Sequence, residues 1–243
     1  LSTVAKATLT QAQPPGWQEY FARQAQACRD PALRRFYEAG LPADNAPIAD
    51  VPLMALDFET TGMDPSRHAI VSIGMVPFNL RTIRPAAGHY WVVRPPQPLR
   101  EESIAFHRIT HSEVEQAPTL DTVLDDILDS LRGHLVVVHY RNIERPFLDA
   151  AVMGLRGEHC LFPLIDTMHL EARRERQGPI QKLKRFFGIQ PASIRLADSR
   201  TRYGLPTYSS HHAKVDALAT AELFQAQLAR HYTADTPASA LWL

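Results

Sequence analysis

An α/β sandwich with a mixed sheet is predicted for this 243-residue chain by three features of its sequence. Strand-like runs at 53–59, 70–78 and 88–93 follow one another with only turn formers between them, at Thr61-Gly62, Pro65 and Pro85. An amphipathic pattern over 119–131 then feeds the apolar run Leu135-Val-Val-Val138, of the kind buried on both faces of a sheet. From there strand and helix patterns alternate to a long helical segment at 213–230, giving the order β-β-β-α-β-α-β-α-α.

Each element has a local reason. Three sequential strands with short connections predict an antiparallel meander. The helix over 119–131 places Leu120, Val123, Leu124, Ile127, Leu128 and Leu131 at i, i+3, i+4 spacing. A second helix is expected from Asn142 to Met153, with Asn142 able to cap it, followed by a strand at 161–165 ending in Asp166-Thr-Met-His169. The last helix aligns Ala217, Ala221, Phe224 and Leu228 on one face. Ahead of the sheet, Trp17–Ala27 and Pro31–Ala39 read as two short helices, and the stretch from Gly40 to Pro52, with Pro42, Pro47 and Pro52 and no periodicity, reads as a connector. The chain therefore divides into a helical N-terminal extension and linker at 1–50, a main domain at 51–232 and a tail at 233–243, whose apolar end is Ala240-Leu-Trp-Leu243.

Composition narrows the function. Hydrophobic residues make up 45% and charged residues 21%, which excludes a disordered or coiled-coil chain. The 26 basic and 26 acidic side chains cancel, so a polyanion would have to be held by a local patch. The densest basic segment is Arg173-Arg174-Glu-Arg176 with Lys182, Lys184 and Arg185, which reads either as a phosphate track or as a solvated helix face. No apolar stretch approaches the roughly 20 residues of a membrane span, and a cytoplasmic protein is expected. Cys28 and Cys160 lack Cys-x-x-Cys spacing and read as reduced, structural thiols.

The most informative segment is Val51-Pro-Leu-Met-Ala-Leu-Asp57-Phe-Glu59-Thr-Thr-Gly62, an apolar strand ending in two carboxylates one residue apart and so on one face. Such a pair is either a solvated strand end paired with arginine or a site neutralised by a divalent cation. A second signal is Ser209-Ser-His211-His212-Ala-Lys-Val-Asp216. His211 lies five residues before Asp216, which on a helix of about 3.6 residues per turn puts it at or before the helix start, where Ser209 or Ser210 could cap. By itself this is either a functional histidine on a turn or a plain helix start. A hard-oxygen set of carboxylates suits Mg²⁺ or Mn²⁺ rather than zinc.

Together, Asp57-Phe-Glu59-Thr-Thr-Gly and His211-x-x-x-x-Asp216 resemble the DEDDh group of 3′-to-5′ exonucleases, the DnaQ-like proofreading and RNase T type, with a ribonuclease H-like fold. The likeness runs from about Val51 to Arg230. It takes in Ile70-Val-Ser-Ile-Gly74, Ala105-Phe106-His107-Arg-Ile-Thr110, Ile165-Asp-Thr-Met and Phe187-Gly-Ile. One position departs: the family's His-Asn-x-x-Phe-Asp motif reads His139-Tyr-Arg-Asn-Ile-Glu144 here, so a glutamate stands where the second aspartate is expected. The extra methylene moves that carboxylate outward, and magnesium is strict about geometry. Glu144 is also consistent with a helix start favoured by the macrodipole. Asp149, one turn on, reads as an unlikely substitute ligand, and Phe147 and Leu148 read as core.

The resemblance implies a two-metal-ion hydrolysis of single-stranded 3′ ends to nucleoside 5′-monophosphates. Asp57 would bridge the ions, Glu59 and Asp216 would complete the one holding the nucleophilic water, Glu144 would serve the other, and His211 would be general base, swinging in on the turn-rich loop 203–210. It further implies that Phe58, Thr60 and Thr61 grip the last nucleotide; Phe106 and His107 read either as a wedge stacked against the terminal base or as core. DNA is the expected substrate, with an exoribonuclease as the alternative. A third reading is a catalytically weakened module binding nucleic acid or a polymerase, with the N-terminal extension or the tail either as docking element or packed on its own domain.

Overall fold

The computed structural model describes residues 16–97, 109–177 and 192–243. Two helices open it, α1 (Trp17–Ala27) and α2 (Pro31–Glu38), the second capped by Asp30, whose side chain accepts from the Ala32 and Leu33 amides. The strands β1 (Leu53–Thr60), β2 (Ile70–Phe78) and β3 (His89–Val92) come next. Then follow α3 (His111–Gln116), α4 (Leu120–Leu131), β4 (Leu135–Val138), α5 (Glu144–Arg156), β5 (Leu164–Asp166), α6 (Thr167–Gln177), α7 (Leu196–Arg202) and α8 (Ala213–His231).

The five strands form one sheet in the order β3-β2-β1-β4-β5. The β1–β2 and β2–β3 pairs are antiparallel, which is the expected meander, and β1–β4 and β4–β5 are parallel. This mixed sheet flanked by helices is the ribonuclease H-like arrangement.

Alternation along β1 sorts its side chains between two cores. Met54, Leu56 and Phe58 join Val136 and Val138 of β4 against α1, α2, α4 and α5. Leu53 and Ala55 join Leu135 and Val137 against Ala217, Ala221 and Phe224 of α8. All four residues of β4 are buried, as a strand covered on both faces requires. Asp57 and Glu59 continue the second face past the end of its apolar packing, toward the start of α8.

Two local points differ from the sequence reading. Helix α5 starts at Glu144, and its N-cap is Ile143 with no side-chain bond, so Asn142 does not cap it. The stretch 40–52 is tied into the fold: Ile48 is fully buried, and Pro47 bridges Pro237. The apolar residues of the extension and the tail pack on their own domain. Tyr20, Phe21, Leu33, Phe36 and Tyr37 sit in the first core, while in the tail Leu241 is buried and Trp242 bridges Ile165. Both cysteines are free and buried, as expected of structural thiols. Among the described residues no helix is long and apolar enough to cross a membrane.

Candidate active site

The site begins at a close approach. Gly74 of β2 lies opposite Asp57 in the ladder and meets the backbone of Ala213 and Lys214 so tightly that no Cβ could be accommodated. The absence of a Cβ on Gly74 thus lets the first turn of α8 rest on the sheet beside the β1 carboxylates. Two further contacts hold that turn: Lys214 Nζ donates to the Gly88 carbonyl at 2.9 Å, and the His212 ring stacks on Tyr90 with centroids 4.3 Å apart.

The result is a cluster in which Asp57, Glu59 and Asp216 each present a carboxylate oxygen within 4.8 Å of the others. Asp216 is held from three sides. Its Oδ2 accepts the amides of His211 at 2.8 Å and His212 at 3.1 Å, and its Oδ1 accepts the Tyr208 hydroxyl at 2.8 Å. This carboxylate, rather than Ser209 or Ser210, organises the start of α8, whose N-cap residue His212 makes no side-chain cap bond. His211 has a positive φ of 70° and an exposed side chain. That left-handed backbone is unusual for a residue with a Cβ, and such strain gathers at functional sites.

Glu144 reaches the same region from α5. It lies outside the close trio but is 2% exposed, and its Oε2 has no hydrogen-bond partner. The turn before it is pinned by Asp166, whose carboxylate accepts the Tyr140, Arg141, Met168 and His169 amides, and Tyr140 there takes a φ of 95°. His139 is anchored to Thr167 Oγ1 at 2.8 Å and the Ile194 carbonyl at 3.1 Å, and burial lowers its pKa to about 4, so its ring is neutral.

Burial and mutual repulsion dominate the electrostatics. Desolvation, then the charges of Asp216, Glu144 and Glu59, push the Asp57 carboxyl well above the usual carboxylate range. Glu59 rises to about 7 through burial and the Asp216 charge. Glu144 is likewise raised by burial and by Asp166 and Glu59, against the lowering effect of its own backbone amide. Among the described residues no ion pair reaches Asp57, Glu59, Glu144 or Asp216. An all-oxygen donor set with crowded charge, no ion-paired cation among the described residues and an orphaned buried oxygen on Glu144 fits a divalent metal.

The remaining predicted residues fall unevenly. Phe58 is corrected: it points to the opposite face, 6% exposed in the first core, so its ring is not available to stack on a nucleotide. Thr60 and Thr61 shape the turn after β1, Thr60 Oγ1 donating to the Gly62 carbonyl and Thr61 Oγ1 accepting the Ala69 amide. His107 and Phe106 lie outside the described residues, as do Lys182, Lys184, Arg185 and the Phe187-Gly-Ile segment. Arg173 and Arg174 are exposed on α6. Asp149 faces away, taking the Cys160 amide at 2.8 Å and pairing with His159. Sequence reasoning missed Tyr208, which carried no signal beyond its place in a turn-rich loop, and the organising role of Asp166.

Comparison with known proteins agrees with this geometry. A family model described as an exonuclease of the RNase T type matches residues 54–224. A PolC-type DNA polymerase III of Thermotoga maritima is 29% identical over 182 residues, which is 75% of this chain but only 12% of that polymerase. The DNA polymerase III epsilon subunit of Treponema pallidum is 24% identical over 181 residues, covering 74% of this chain and 78% of the subunit. The nuclease domain of 3′hExo, a DEDDh family member solved bound to rAMP, superposes with a TM-score of 0.59 at 18% identity over 74% of this chain and 92% of that one. With the matched region spanning both β1 carboxylates, Glu144 and Asp216, the chain belongs to the RNase T exonuclease family.

Proposed function

We propose that the protein is a metal-dependent 3′-to-5′ exonuclease that removes nucleoside 5′-monophosphates from single-stranded DNA ends. The observation that carries this reading is the convergence of Asp57, Glu59 and Asp216 within 4.8 Å beside the buried, unpartnered Glu144 oxygen. When bound, two ions, Mg²⁺ or Mn²⁺, supply a hydroxide-like nucleophile near neutral pH and neutralise charge on the phosphate. Asp57, Glu59 and Asp216 would hold one of them, and Glu144 would serve the other.

His211 takes the proton of the attacking water. An imidazole can act as a general base near neutral pH, and the exposed position of His211 on the strained turn lets the ring move toward the cluster. As water oxygen bonds to phosphorus the bond to the 3′-oxygen breaks, and that oxygen takes a proton from solvent. The turn bearing Thr60 and Thr61, whose side chains are spent on its own structure, offers backbone groups to the terminal nucleotide. His107 completes the proposed nucleotide contacts.

The names of the polymerase relatives favour DNA and suggest a polymerase as partner. The rAMP in the 3′hExo structure favours RNA as the second reading. Incubation with 5′-labelled DNA and RNA oligomers in Mg²⁺, Mn²⁺ or EDTA tests both. The expected result is a ladder of shortened DNA with 5′-monophosphates released in either metal and none in EDTA. Faster loss of RNA transfers the reading to an exoribonuclease, and no release in either metal overturns it.

A further inference from the structure

Asp216 receives more support than a carboxylate at a helix start requires. Two amides of its own turn already satisfy one oxygen, and the other is taken by a phenol from eight residues earlier, at 2.8 Å. That phenol is itself fixed. The guanidinium of Arg200 lies 4.9 Å from the centre of the Tyr208 ring, and Arg200 is 3% exposed. Arg200 in turn donates to the Ala219 carbonyl at 2.8 Å and the Pro206 carbonyl at 3.0 Å and pairs with Glu222 at 2.7 Å. Ala219 and Glu222 belong to α8, the helix that carries Asp216, so Arg200 clamps the 206–208 backbone and the Tyr208 ring to the frame of the ligand they support.

We propose that Tyr208 is a positioning residue of the active site: its hydroxyl, fixed by the Arg200 clamp, turns the Asp216 carboxylate toward the ion shared with Asp57 and Glu59. An ionised carboxylate accepts at about four lone-pair sites. Three donors on Asp216 leave its remaining capacity directed at the neighbouring carboxylates and prevent it from rotating away from a metal. The ring does not need the hydroxyl to stay in place, because Arg200 and the Pro206 carbonyl already hold the loop. The hydroxyl therefore acts on Asp216 alone, and removing it separates positioning from loop anchoring. The proposal rests on the reading of the carboxylates as a divalent-cation site.

The test is Tyr208→Phe, which keeps the ring and deletes the oxygen. Mn²⁺ binding is measured by calorimetry on the full chain, and kcat and KM are measured on a single-stranded DNA oligomer. Loss of a hydrogen bond that orients a metal ligand costs about 10–100-fold in metal affinity or activity. The expected result is Mn²⁺ affinity weakened by at least about tenfold, a kcat reduced by a similar factor at fixed Mn²⁺, a KM within about twofold of wild type, and partial rescue at high Mn²⁺. Mn²⁺ affinity within about twofold of wild type overturns the proposal while leaving the metal reading intact. Wild-type protein that binds no Mn²⁺ overturns both. Should the variant not fold, the wild-type crystal soaked in Mn²⁺ decides: Tyr208 Oη within about 3.2 Å of Asp216 supports the proposal, and its departure from Asp216 refutes it.

Discussion

Glu59→Gln isolates what the crowded carboxylates cost when no cation is present. The Glu59 carboxyl is raised from an ordinary 4.5 to about 7, by burial first and the Asp216 charge second. The folded protein therefore keeps a proton that the unfolded chain has released, and stability falls as pH rises through the interval from 4.5 to about 7, then levels off. At about 1.4 kcal/mol for each pH unit this one group costs about 3 kcal/mol above pH 7, a ceiling because the side chain retains some contact with solvent. Glutamine cannot ionise and removes the cost. In EDTA the variant should match or slightly exceed wild type at pH 5 and exceed it at pH 8, by about 6–12 °C in Tm at roughly 2–4 °C per kcal/mol for a chain of this size. Thermal melts followed by circular dichroism at the two pH values measure this directly. With Mn²⁺ added at a thousand times its Kd the order should reverse, because that stabilises the binding-competent wild type by about 4.1 kcal/mol, more than the cost of about 3 kcal/mol, and the variant lacks a ligand. A Tm difference that is the same at pH 5 and pH 8 in EDTA refutes the account of Glu59.

Gly74→Ala should force the start of α8 off the sheet, because its Cβ meets the Ala213 and Lys214 backbone; overpacking of this kind costs about 1–3 kcal/mol, and displacement of Asp216 should lower turnover by about a hundredfold, read by denaturant unfolding and oligomer digestion. Glu144→Gln should lower kcat by at least about tenfold, whereas Glu144→Asp should give no gain over wild type; an aspartate variant ten times faster would mean that the glutamate has weakened the site, as the third sequence reading holds. His211→Ala should lower kcat by about 10²–10⁴, the usual contribution of a general base, while leaving Mn²⁺ affinity measured by calorimetry unchanged. Equal loss of Mn²⁺ binding would make His211 a support for the Asp216 turn rather than the base.

What the chain disclosed before folding followed the range of the interactions involved. The meander and the strand buried on both faces were legible because they rest on local periodicity: Leu135–Val138 is apolar at every position, and the β1 alternation sends Met54 and Leu56 one way and Leu53 and Ala55 the other. The same alternation placed Asp57 and Glu59 together, and it should have ruled Phe58 out of the site, since the residue between two same-face carboxylates must point away from them. The N-terminal helices were legible as helices but not as core, because whether Phe21 and Phe36 face a partner or their own sheet depends on packing against Phe162, more than a hundred residues away.

The supports of the site were the least legible part, and the reason is chemical. Asp216 and Asp166 act through backbone amides, which every residue possesses, so no side-chain pattern marks the residues they hold. A spacing such as His211 to Asp216 is visible because both partners are chemically distinctive. The contact of Gly74 with the Ala213 and Lys214 backbone is invisible because it consists of a missing side chain facing main-chain atoms, yet that absence sets how near the start of α8 can come to the strand beside Asp57. The clustered carboxylates in this fold are thus announced by the sequence, while the distances among them are set by a glycine and main-chain donors that only the folded chain brings together.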